Sequence, residues 1–198
     1  MSLIPLRLTI RMPPTIRGHF LVAGPRLKDP NFFKAAVLLV EHNDEGAMGL
    51  VINRPSAVTV HNALAGHFDL PAASGFVYQG GPVEQSALFI LHNSQSLDPE
   101  ETPIIPDLFI GSCADVFEEV VQTSLLDDSI QYRIFSGCSG WGEGQLEGEI
   151  ARGDWFVVRA TLEHVFAADP YTVWDELMEQ VHKSHRILPN HPINPEWN

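Results

Sequence analysis

Cysteine is nearly missing from this chain: 198 residues hold two, Cys113 and Cys138. Two cysteines make no disulfide framework, and with no Cys-x-x-Cys pair they make neither a zinc site nor a thioredoxin-like redox pair. Positive charge is scarce as well. Twelve Lys and Arg stand against 25 Asp and Glu, a formal charge of −13, and the basic residues form no stripe. Affinity for a duplex comes largely from counterions that Lys and Arg release from phosphates, so this composition disfavours direct nucleic-acid binding. No apolar run approaches the roughly 20 residues that a membrane helix needs. The first residues, Met1 to Arg7, carry neither the apolar core nor the small-residue cleavage site of a secretion signal. A cytoplasmic protein without a membrane partner is expected. Three catalytic signatures are missing too: the Gly-Lys-Ser/Thr ending of a phosphate loop, His-Glu-x-x-His, and the Gly-x-Ser-x-Gly elbow.

What the chain does hold is 44% apolar and 19% charged residues, the balance of a globular protein long enough for one sizeable core. Residues 1–17, with three prolines and three arginines, read as an extended arm, and the proline-rich residues 187–198 as a tail. Residues 18–186 between them form the domain. Asp29-Pro30 starts one helical turn, with Asp29 as N-cap. Ala35 to His42 and Ala47 to Asn53 are β-prone runs around Asn43-Asp44-Glu45-Gly46, a hairpin pattern that sets His42 opposite Ala47 and Asn53 opposite Ala36. Thr59 caps a short helix to Gly66. Strands are expected at Phe76–Tyr78, Ser86–His92, Asp107–Gly111, Ile130–Phe135 and Asp154–Ala160. Helices are expected at Ala114–Leu126, Gln145–Ala151 and Tyr171–His185, from apolar spacing and caps. Clustered strands with helices between only some of them indicate α+β, not a doubly wound sheet.

The densest pattern is Gly137-Cys138-Ser139-Gly140-Trp141-Gly142-Glu143-Gly144. Closely spaced glycines mark backbone angles or approaches that a side chain forbids. Together with Glu41-His42-Asn43-Asp44-Glu45-Gly46-Ala47-Met48-Gly49-Leu50-Val51-Ile52-Asn53-Arg54-Pro55, Gln79-Gly80-Gly81-Pro82 and Leu88-Phe89-Ile90-Leu91-His92, this run resembles the YqgE/AlgH family of bacterial proteins, in order from about His19 to Trp174. The resemblance implies a single α+β domain with a bifurcated, curled mixed β-sheet (a pseudo-barrel) and flanking helices. It implies no accepted catalytic residues, and some members are described as transcriptional regulators. The family often has an aromatic–small pair where this chain has Cys138-Ser139.

Several groups remain as candidates. The glycine run could cradle a phosphate, but Glu143, Glu147 and Glu149 repel an anion there, and a tight strand-to-helix connection with Trp141 over glycine backbone fits better. Cys138, or Ser136 or Ser139, could act as a nucleophile if the fold supplied His42 or His92. The nearest charges in sequence are Arg133 and Glu143, a weak or unfavourable field for a thiolate, so a buried unreactive thiol fits Cys138 better. His182 with His185, and His61 with His67, lack the further ligands of a metal site, so neither metal nor cofactor is expected. His42, Asn53 and Arg54 lie at strand ends, where binding groups often sit, and the turn Gln79-Gly80-Gly81-Pro82, with Gly80 and Gly81 at its centre, joins them if it folds nearby. Arg54 could equally pair a carboxylate, with Pro55 ending the strand. Phe32, Phe33, Trp155 and Trp174 would supply an oligomer interface if exposed. The leading expectation is a non-enzymatic binding or regulatory module with a protein or small-molecule partner. The alternatives are an enzyme built on Cys138 or a serine with a histidine, and a transcriptional regulator acting directly or through a partner.

Overall fold

A long apolar stretch that is β-prone throughout reads as a strand buried on both faces, and the centre of this molecule is built on one. The computed structural model of the chain describes residues 15–65, 75–97 and 101–184. Arm residues 1–14, the tail, Gly66, His67 and His185 lie outside them. Strand β1 (His19–Ala23) pairs with β2 (Ala36–Asn43), which turns into β3 (Gly46–Val51) as the expected hairpin, His42 facing Ala47. A bulge between Leu39 and Glu41 then shifts the register, so that Val37 faces Val51. This corrects the expected pairing of Asn53 with Ala36. The extra residue on β2 moves Ala36 opposite Ile52, whose N–H bonds the Ala36 carbonyl at 2.9 Å.

β3 ends at Val51, ahead of Asn53-Arg54-Pro55, and β4 (Pro55–Thr59) follows as a separate strand. Pro55 opens an edge strand, where its missing N–H interrupts no ladder. Thr59 caps α1 (Val60–Ala63), accepting from the Asn62 N–H at 3.2 Å. Then come β5 (Phe76–Gln79), β6 (Val83–His92), β7 (Phe109–Gly111) and α2 (Ala114–Ser124).

β8 (Tyr132–Gly142) contains the second and larger correction. The strand does not stop at Phe135; it runs through the glycine segment, and the passage into α3 (Gln145–Arg152) takes only Glu143 and Gly144. Its first half pairs with β6 on one edge and, in parallel, with β5 on the other, whereas its second half pairs with β3. β8 therefore belongs to two sheets. The antiparallel one has the order β9–β1–β2–β3–β8, with β9 at Trp155–Arg159. The other holds β4, β5, β8, β6 and β7. The result is a branched mixed sheet that is not closed into a barrel.

Glycine is required where the branch forms. Gly137 has φ 70°, and a Cβ on Gly80 would run into the Gly137 carbonyl oxygen, because the Gln79-Gly80-Gly81 backbone lies directly on β8.

Alternation along β1 and β2 divides the core. Phe20, Val22, Leu38 and Val40 face α5 (Val173–Ser184) through Val173 and Leu177, while Leu21, Val37 and Leu39 face Trp141, Leu146 and Trp155. A third cluster joins α1 and α2 to the second sheet through Val60, Val77, Phe117, Val120 and Ile134. α4 (Leu162–Val165) had no counterpart in the expected pattern: Thr161 caps it, its hydroxyl 2.7 Å from His164 Nδ1.

Candidate functional site

Glycine and tryptophan on β8 deliver one corner of the molecule, and it is closed. Trp141 and Trp155 meet edge to face at 6.0 Å, and Phe32 packs on both rings. Both indole N–H groups donate to Glu149 Oε2 at 2.9 Å, and Gln145 Nε2 donates to Oε1 at 2.9 Å. The carboxylate of α3 thus ties two tryptophans from two strands to the helix. Trp141 is 6% exposed and offers no open face to a ligand. His42 sits at this same end. Its Nδ1 accepts from the Ile16 N–H at 3.3 Å and its Nε2 lies 2.9 Å from Glu147 Oε1, which pins residues 15–17 to the hairpin. With Nδ1 accepting, the ring proton sits on Nε2 and is donated to the carboxylate.

Asn53 and Arg54 lie at the opposite end of the hairpin, where the spacing put them. Asn53 is buried and both polar atoms of its amide are engaged: Oδ1 accepts from the Ala36 N–H and Nδ2 donates to the Lys34 carbonyl, both at 2.9 Å. Arg54 donates to two carbonyls of the same segment, those of Asn31 and, at 2.8 Å, Phe33. Burial lowers the pKa of its guanidinium, and the negative field of Asp29 pulls it partly back. Among the described residues, Arg54 forms no ion pair with a carboxylate.

Two concavities meet at Arg54. One, of about 270 Å³, is lined by Asn31, Arg54, Gln79, Gly81, Gln85 and Ser136, among others. The other, of about 400 Å³, is lined by Phe33, Lys34, Arg54, Gln79, Tyr171 and Trp174 together with Asn53 and Pro55. Arg54 and Gln79 form the wall between them. The parallel pairing of β5 with β8, Gln79 facing Ser136, brings the glutamine here, and the Gln79 N–H holds the Arg54 carbonyl at 2.9 Å. Of the expected site residues, the structure brings Arg54 and Gly81 together in one concavity. Gly80 supports it from behind, Asn53 frames it, and His42 and Trp141 stand elsewhere.

Cys138 faces the core, 6% exposed. Burial pushes its thiol pKa up, and the field of Glu84 adds to the rise. A raised pKa leaves less thiolate, the reverse of what a nucleophile needs. Ser139 Oγ donates to the Gly80 carbonyl at 3.1 Å and Ser136 Oγ to the Gln85 carbonyl. Among the described residues, neither hydroxyl nor the thiol is hydrogen-bonded to a histidine. His92 is buried and stacked on Phe109 at 5.6 Å. No three described His, Cys, Asp or Glu side chains group as metal ligands, and no described helix is long and apolar enough to cross a membrane. Of the four aromatics named as an interface, Trp155 is buried, Phe32 and Trp174 are half-buried and Phe33 is exposed.

Sequence reasoning reached Gln79 only as part of the Gln79-Gly80-Gly81-Pro82 turn, and it missed Gln85 and Tyr171, which belong to no motif; the strand pairing and the turn before α5 put them beside Arg54. It also missed Glu149 as the acceptor for both tryptophans, although Trp141, Gln145 and Glu149 stand at helix-compatible spacing.

A branched α+β sheet with a closed tryptophan corner and an open arginine-walled cleft defines the class of this protein. The chain belongs to the AlgH-like family, whose model matches residues 20–186. It is 36% identical over 185 residues to a UPF0301 protein of Streptomyces avermitilis, covering 93% of this chain and 96% of that one. It is 38% identical over 159 residues to a UPF0301 protein of Myxococcus xanthus, covering 78% and 84%. The solution structure of AlgH from Pseudomonas aeruginosa matches with a TM-score of 0.71 and 30% identity, over 91% of this chain and 97% of that one. The crystal structure of a Corynebacterium diphtheriae protein matches at TM-score 0.67 and 26% identity, over 82% and 85%.

Proposed function

We propose that this protein is a non-enzymatic binding module whose ligand site is the cleft at Arg54, and that the group held there is an anion. One observation carries the proposal. The Arg54 guanidinium is partly desolvated, is hydrogen-bonded to neutral carbonyls and, among the described residues, to no carboxylate, and walls two concavities at once. An arginine has five N–H donors in a planar fork, and carbonyl bonds to Nη1 and Nη2 leave the others for a ligand. A carboxylate or phosphate matches that fork in geometry and charge. Gln79 and Gln85 add amide groups that have no side-chain partner among the described residues. Support for a binding role over catalysis comes from the thiol and hydroxyls nearby: Cys138 is buried with a raised pKa, and Ser136 and Ser139 are committed to carbonyls.

The test is a titration of the full chain with inorganic phosphate and with acetate, followed by amide NMR shifts, with sodium chloride as the ionic-strength control. Saturable shifts at Gln79, Gly81 and Arg54 are expected, absent in an Arg54→Gln variant whose spectrum otherwise stays folded. Shifts confined to other surfaces, or equal in the variant, overturn the proposal.

A further inference from the structure

The larger concavity is the less polar of the two, and its rim is aromatic. Phe33 and Tyr171 line it and are each 71% exposed, although rings of that size normally bury most of their surface. Both are presented on pinned backbone. The Phe33 carbonyl accepts from Arg54, and the next carbonyl, that of Lys34, accepts from Asn53. Lys34 itself holds φ 51°, a left-handed angle uncommon outside glycine. The helical turn Pro30–Phe32 gives way to an extended backbone at Phe33, and the two neighbouring rings part: Phe32 enters the tryptophan corner and Phe33 lines the cleft. Across the cleft, the Tyr171 N–H bonds Asp169 Oδ1 at 2.9 Å and the Thr172 hydroxyl bonds the Asp169 carbonyl at 3.1 Å, which fixes the turn before α5.

The charges in the cleft are not equivalent. Lys34 Nζ lies 3.3 Å from Asp175 Oδ1 and 4.7 Å from the Trp174 ring centroid, so its charge and that ring are matched internally. Trp174 also donates its indole N–H to the Ala23 carbonyl at 3.0 Å. Among the described residues Arg54 feels the field of Asp29 but makes no direct ion pair, and the Phe33 and Tyr171 rings are largely exposed.

We infer that the site takes an aromatic anion: a planar ring in the larger concavity against Phe33 and Tyr171, with its carboxylate or phosphate on Arg54. This rests on the anion-binding proposal above and adds the ring. The ring would gain apolar contact and edge or face contacts with the two aromatics, on a platform already fixed by hydrogen bonds. The same chemistry arises from a free aryl phosphate or from an aromatic residue at a peptide carboxyl terminus, and the experiment separates these sources.

The full-length chain is titrated by calorimetry and amide NMR with phenyl phosphate, N-acetylphenylalanine, N-acetylphenylalaninamide, inorganic phosphate and acetate. Phenyl phosphate or N-acetylphenylalanine should bind about tenfold tighter than the ringless anion of the same charge type, the gain that one aromatic pair supplies. The amide, lacking the charge, should not compete. Phe33→Ala and Tyr171→Ala should each lower the ratio of aryl-anion to ringless-anion affinity. Preference for phenyl phosphate assigns a phosphorylated small molecule, and preference for N-acetylphenylalanine assigns a carboxyl terminus; both support the inference. Aryl anions no tighter than phosphate and acetate overturn it while anion binding at Arg54 stands. No binding of any anion at Arg54 overturns both.

Discussion

Two charged groups, at opposite ends of one hairpin, are each surrounded by neutral partners, and they differ in what is left over. Glu149 is half-buried and accepts from two indoles and an amide, so protein donors occupy both of its oxygens. Arg54 donates to two carbonyls and still borders open space on two sides. A carboxylate whose acceptor positions are filled by protein donors is a fastener. A guanidinium with donors remaining at a cleft is a receptor. The lesson is that the charge itself does not separate architecture from function in this fold; the unused hydrogen-bonding capacity does.

That contrast can be broken from the Glu149 side first. Glu149→Ala removes the shared acceptor of two part-buried indole N–H groups, and unfolding in urea should show a loss of about 3 kcal/mol, since bonds to a charged acceptor are worth more than neutral ones. In a protein of this size the thermal midpoint should fall by about 10 °C. Equal stability of variant and parent would show the corner to be held by ring packing alone. Asn53→Ala comes next: it leaves the Ala36 N–H and Lys34 carbonyl without their partner, and about 2 kcal/mol should be lost in the same assay.

Arg54→Gln sharpens the comparison from the other side. It keeps an N–H donor for the loop carbonyls and removes the charge, so stability should change by about 1 kcal/mol or less while the phosphate response disappears. Phe33→Ala should stay within about 0.5 kcal/mol of the parent by denaturant unfolding, as an exposed substitution. The two thiols provide the smallest effect. Exposed Cys113 should react with a thiol reagent near neutral pH well before Cys138, whose buried, raised thiol holds less thiolate. A Cys138 as fast as a model thiol would reopen the nucleophile.

Local chemistry made much of this legible in advance. Asp29-Pro30 forms its capped turn, Thr59 caps α1, and Gly153 at φ 78° stops α3. The hairpin was visible because its turn cluster separates two apolar runs. What the pattern could not carry is non-local. Nothing adjacent to Val40 announces a bulge, and the glycines of β8 look like a connection because a strand that changes partners midway needs the same freedom as a turn. The placement of Arg54 beyond the hairpin was readable. The turn at Gln79-Gly80-Gly81 was a conditional neighbour; Ser136 and Tyr171 were not readable as neighbours, because the parallel β5–β8 pairing and the approach of α5 decide them.

β8 lends half its length to each sheet, which makes the fold indivisible. Neither sheet keeps its full set of ladders if that strand is withdrawn, so no cut yields two autonomous pieces, and loosening one sheet strips an edge from the other. The amides of Tyr132–Gly142 mark the joint at which both halves must open together.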